Sequence, residues 1–201
     1  MENRIKRIYS ALSSLGNGDL AKIRPHFSNL PVGFQMMVDF NQNSDPAELE
    51  NSAQLLIANI ASIRDHLKKW CDDRKVVFKG DDLINSNKSV AIVHDLWNTD
   101  KHAHLSRPPR SGFLPKLKDL RRTMVLTTGI GPNSGISFSM DMEGNQRIHS
   151  ENGGSAKLEV VAQITDQNGN DIGDFRKTCD EAIEAWSEEL IVAGVPLAVF
   201  S

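Results

Sequence analysis

The apolar residues Leu49, Ala53, Leu56, Ile60, Ile63, Leu67 and Trp70 recur at spacings of four and three. With about 3.6 residues to a turn they fall on one face of a helix about six turns long. A stripe of that length must be covered by a large apolar surface, so it commits the chain to a packed core built on a helix. The start is marked as well. Asp45 can cap, Pro46 suits the first helical position, and Glu48 can reach back as in a capping box. The pattern predicts one long helix over residues 46–72.

The stretch from Leu83 to Leu105 holds three of the six histidines, at 94, 102 and 104, with Asn98, Asp100 and Lys101 close by. Val90, Val93, Leu96 and Trp97 share a helical face. His94, Asn98 and His102, spaced i, i+4 and i+8, form a second stripe beside it. Continuing to His102 would point Asp100 into the core, so the regular helix is expected to end near Asn98–Asp100. Pro108 and Pro109 oppose any new helix.

From Arg122 the period changes to two. Met124, Leu126 and Thr128 alternate with polar residues or the opposite face. Ile136, Phe138, Met140 and Met142 do so too, as do Leu158, Val160, Ala162 and Ile164. The three runs predict an antiparallel meander, joined by Gly129–Gly135 and by a long polar loop through Asn152–Gly153–Gly154. The first connection is rich in glycine, but it lies between strands and lacks a Lys-Ser/Thr ending. It reads as a hairpin loop rather than a phosphate loop. Asn168–Gly169 makes a turn, and Asp174 caps a last helix striped with Phe175, Cys179, Ile183, Trp186 and Leu190. Gly194 and Pro196 end it.

Other segments are read more coarsely. Residues 3–15 carry a helical stripe ending at Gly16. Leu20, Ile23 and Phe27 suggest a short helix, and residues 34–40 are apolar without a clear period. Residues 74–86 read as a polar connector, Arg110–Ser111–Gly112 as a loop and Lys116–Leu120 as a helical turn. All three tryptophans are expected to be buried. The fold expected is α+β: a helical bundle, a small three-stranded antiparallel sheet and a C-terminal helix. Residues 1–201 are expected to form a single domain, mainly helical over 1–121, because the last helix needs a partner for its stripe.

The net charge of -3 excludes a chain that is basic throughout, but the charges are segregated. Lys101–Arg122 contains seven Lys/Arg residues and only Asp119 as an acid, whereas Asp166–Glu189 contains eight acids against Arg176 and Lys177. Such runs form solvated faces or, for the basic one, a surface for phosphate groups. Cys71 and Cys179 show no CxxC spacing, which fits a reducing compartment and opposes a thiolate zinc site. The first residues contain no long apolar run, and no window approaches the roughly 20 apolar residues of a membrane span. A cytoplasmic protein without a membrane partner is expected.

The residues able to bind or react are Asn59, His66, His94, Asn98, Lys101, His102, Arg107 and Arg110. Asn59 and His66 flank the long apolar stripe. Arg64 lies on its other flank and Asp65 points away, so Arg64, Asp65 and His66 are not one cluster. A polar groove between two helices, with Lys101, Arg107 and Arg110 for anions, predicts a binding or regulatory module for a phosphate-bearing ligand or nucleic acid. A ribonuclease would use His66 or His102 as general acid or base and Lys101 to stabilise phosphate charge. A metal-dependent hydrolase would draw on His94, His102, His104 and Asp95 or Asp100, but HExxH is absent and a third ligand unassigned, so no metal is expected. A fourth reading is purely structural, with the cluster joining two helices through hydrogen bonds. No cofactor motif stands in its required context.

At Arg64-Asp65-His66-Leu67, Trp70, Asp95-Leu96, Asn98, Asp100-Lys101-His102, Arg110-Ser111-Gly112 and Glu184-Ala185-Trp186 the chain resembles a group of uncharacterised bacterial proteins. These share a DHL…W helix, a DLxNxDKH segment and a terminal helix with EAW. The resemblance spans about Val38 to the last helix and implies no activity. The pairing of His and Asn on adjacent helices is also similar to HEPN-type ribonucleases. The motif of that family, Arg followed after four to six residues by His, is absent at all six histidines, so its catalytic roles do not carry over.

Overall fold

The computed structural model describes residues 25–29, 34–39, 46–102, 107–128, 134–140 and 146–196. The expected helix over 3–15, the cap at Asp45, His104 and most of the Gly129–Gly135 loop lie outside them. The chain is α+β. The described residues gather into two compact units, one of 47–120 with 161–196, the other of 25–46 with 121–160.

The first unit is mainly helical. The stripe predicted as one helix is carried by two, α1 (Pro46–Ala61) and α2 (Ile63–Arg74). They meet at Ser62, whose hydroxyl donates to the Asn59 carbonyl at 3.0 Å. The backbone bonds run on through the junction, the Ser62 amide donating to the Ala58 carbonyl at 3.1 Å and the His66 amide to the Ser62 carbonyl at 3.3 Å. The apolar face also crosses the junction intact: Leu49, Ala53, Leu56, Ile60, Ile63 and Leu67 are all buried. α2 ends on Lys75 in the left-handed region, φ 58°, while the Val76 amide donates to the Cys71 carbonyl.

The expected polar connector contains a helix, α3 (Gly80–Ser86). Seven residues give less than two turns of pattern, too few for a period to mark a helix. Asp81 and Asp82 in its first turn favour the helix N-terminus, and Ile84 is fully buried. Gly80 is needed for close approach. A Cβ there would meet the Phe78 ring at 2.6 Å and Trp186 at 3.3 Å. α4 (Lys88–Lys101) begins where the Asn87 side chain accepts from the Val90 amide at 3.0 Å. It runs slightly past the expected end, with Asp100 exposed rather than turned into the core. α5 (Phe175–Val192) is capped as expected, the Asp174 carboxylate accepting from the Lys177 amide at 2.8 Å.

α5 packs on α4 and α3, and α3 also packs on α2 and α4. The helices of the first half therefore do not close a bundle of their own. Trp186 is buried, whereas Trp70 and Trp97 are half-buried, each with a cationic side chain over its ring.

The expected three-stranded meander is also corrected. β1 (Pro25–Asn29) and β2 (Phe34–Asp39) precede β3 (Lys116–Thr127), so Phe27 lies in a strand rather than a short helix, and Lys116–Leu120 is extended. β4 (Gly135–Met140) and β5 (Gln146–Glu151) form a separate two-stranded sheet. β6 (Ser155–Thr165) stands next to β3, giving the order β1-β2-β3-β6 in the second unit. β1–β2 and β2–β3 are antiparallel, with Met36 opposite Phe27 on one side and Leu126 on the other. The connection through Asn152 and Gly153 is a tight turn, both residues at positive φ, 47° and 87°. Strand order depends on pairings between distant residues, which alternation within each run does not encode. In the first unit the end of β6 pairs with β7 (Asp171–Asp174). Their turn is tied by Asp166, which accepts from the Asn168 and Asn170 amides and the Asn170 side chain.

Gly80→Ala is expected to destabilise the protein by about 1–3 kcal/mol in urea unfolding, because overpacking against Phe78 and Trp186 outweighs the gain in helix propensity. Unchanged or increased stability would show that Phe78 yields without cost.

Candidate functional site

The last two turns of α4 and the segment after it carry most of the expected site residues. In the neutral state of the ring, Asn98 Nδ2 donates to His94 Nδ1 at 2.9 Å, so these two residues bond each other. The His94 ring also meets Trp97 edge-on, with centroids 5.9 Å apart. One turn on, the Lys101 ammonium lies 4.9 Å from the Trp97 ring centre. His102 ends the helix and is exposed, as is Arg107. Asn59 is buried on α1, and His66 is half-buried on α2.

The segment that follows is fixed from inside. Asp95, only 2 % exposed, accepts from the Arg110 amide at 3.1 Å through Oδ1 and from the Ser111 amide at 2.7 Å through Oδ2. Pro108 and Pro109 restrict the backbone before this pair, and the Gly112 amide, at φ 80°, returns to the Pro109 carbonyl at 3.2 Å. A buried carboxyl needs such partners, and two convergent amides supply them.

The side chain of Arg110 joins a charged network that the sequence did not reveal. Its Nη1 donates to Asn85 Oδ1 at 3.2 Å and lies 3.5 Å from Asp81 Oδ1. Arg64 grips Asp81 with both Nε (2.8 Å) and Nη2 (3.0 Å), and its Nη1 reaches Asp65 at 2.8 Å. The Arg64 side chain holds the Asp81 carboxyl below the usual carboxylate range. α2, α3, α4 and the 107–115 segment are thus linked through two arginines. Asp81 and Asn85 were missed because they sit in the segment read as connector. The usable signal was acids in the first turn of a helix too short to show a period.

His94 is pulled below its ordinary range, first by burial and then by the Arg110 charge; Asp95 and Asp65 act the other way and Arg64 reinforces Arg110. The Asn98 amide facing Nδ1 suits the neutral ring. Among the described residues, no three His, Cys, Asp or Glu side chains come together as a metal set. Nor is any described helix long and apolar enough to cross a membrane. No protein-family model, curated protein or solved structure matches the chain.

Asp95→Ala is expected to cost about 2–4 kcal/mol, since it strands two inward amides; a loss below about 1 kcal/mol in chemical unfolding would deny the anchor its role. A pH titration of stability should show two windows. His94 binds a proton more readily unfolded than folded. Its contribution is therefore complete above about pH 6.5 and declines as pH falls below that value. Asp81, shifted down in the fold, keeps its contribution above about pH 4 and loses it on further acidification. His94→Gln should flatten the first window and leave the second.

Proposed function

We propose that the chain is a binding module that takes a phosphate-bearing ligand, or the backbone of a nucleic acid, on the cationic edge following α4. The observation that carries this reading is uncompensated charge. Lys101, Arg107, Lys116 and Lys118 are exposed, and none enters an ion pair among the described residues. No acid occurs in the sequence between Lys101 and Asp119, and the acids that folding brings to this segment, Asp81 and Asp95, meet it at Arg110 and Ser111. Lys101 is steadied on Trp97, which lowers the entropy lost when it meets an anion. The His94–Asn98 pair lies on the same helix end and would border the ligand.

A second reading is favoured by the Arg64–Asp81–Arg110 network: the polar residues join helices and bind nothing. Binding of single-stranded RNA, single-stranded DNA and a nucleotide panel at two ionic strengths separates the two. Lys101→Ala and Arg107→Ala should each weaken binding several-fold, and each should lower the dependence of log K on log salt by about 0.7–0.9. His66→Ala tests whether the site extends onto α2. Absence of binding at low salt, or equal binding by all folded variants, favours the structural reading. RNA cleavage that disappears in His102→Ala would instead support a ribonuclease.

A further inference from the structure

Resting on the cationic-edge reading, we propose that Arg110 is the oxyanion fork of this edge, offering Nε and Nη2 to two oxygens of one phosphate. The two arginines of the network differ in what they have left to give. Arg64 commits Nε, Nη1 and Nη2 to Asp81 and Asp65, so it has no free edge. Arg110 is held by Nη1 alone, through Asn85 and Asp81, while Nε and Nη2 have no partner among the described residues. Its side chain is 32 % exposed.

The fork is fixed at both ends. The Arg110 and Ser111 amides are pinned on buried Asp95, and the far end is pinned by Asn85. Asp81 is shared, because Arg64 grips it with two bonds while also pairing with Asp65, so what Arg110 has left to offer is its free edge. An arginine whose rotamer is set before binding loses less entropy on engaging a ligand, and its planar edge matches two coplanar oxygens. Lysine can supply the charge but not that edge. Asn85 is a positioning residue in this scheme.

The experiment uses the full chain, with inorganic pyrophosphate and a single-stranded oligonucleotide of about 12 units as probes. Arg110→Lys should lower affinity about tenfold for the probe that binds, with the salt slope unchanged because the charge is kept. Arg110→Ala should lower both affinity and slope. Asn85→Ala should weaken binding about threefold in the wild-type background and have no effect in Arg110→Ala, a cancellation that a merely structural role would not give. Pyrophosphate binding marks a site for free phosphate, and binding of the oligonucleotide alone marks a polymer backbone; either supports the fork when Arg110→Lys is weakened. Wild-type affinity in Arg110→Lys, with the fold intact by thermal unfolding, would overturn it. So would an Asn85→Ala effect that persists in Arg110→Ala. If Lys101→Ala still weakens binding, the cationic edge survives that failure; if neither probe binds at low salt, both readings fall.

Discussion

The Asp95 carboxyl, buried on α4 and receiving the amides of Arg110 and Ser111, is the contact on which the candidate site depends. A carboxyl out of water is costly unless its oxygens are satisfied. Here satisfaction comes from a segment that has no helix or strand ladder of its own. The two needs meet each other: the acid gains donors, and the turn gains a fixed origin. Everything that Arg110 does with its side chain starts from a backbone position set by that pair.

Around this anchor the charges sort by burial and partner. Arg64 is fully engaged and joins α2 to α3. Arg110 is engaged at one amino group, and Lys101 rests on an aromatic ring. Arg107, Lys116 and Lys118 face water. The sequence runs these cations together as one basic block, but the fold gives them different work. The Arg64–Asp81 pair is two-pronged, part-buried and joined to Arg110, a network that can reinforce the helices, whereas Lys101, Arg107, Lys116 and Lys118 stand outside any ion pair among the described residues.

Much of the helical unit was legible from the period of apolar residues. The stripe from Leu49 to Leu67 is buried as read, the α4 face holds Val90, Val93 and Leu96 inside, and α5 starts on Asp174. The division at Ser62 left no trace in that period, because the buried face and the backbone hydrogen bonds both continue across it. Short elements were lost for a related reason. Seven residues in α3 cannot display a repeat, and the network through Asp81 and Asn85 went with them. The candidate residues on α4 were found by side-chain chemistry, but their pairing was not: His94 and Asn98 satisfy each other, while Arg110 turns to residues some 25 and 29 positions earlier in the chain.

The sequence by itself determined the α+β class, the principal helices and the basic block after α4. All of these are local, because they follow from spacing within one segment and from charge along it. Tertiary structure decided which strands are neighbours, that Gly80 lies against Trp186, and that Asp95 holds Arg110 in place. Those outcomes depend on partners far apart in the chain. A hydrogen bond or a close packing contact has no period to announce it, and its geometry exists only once both partners are in position.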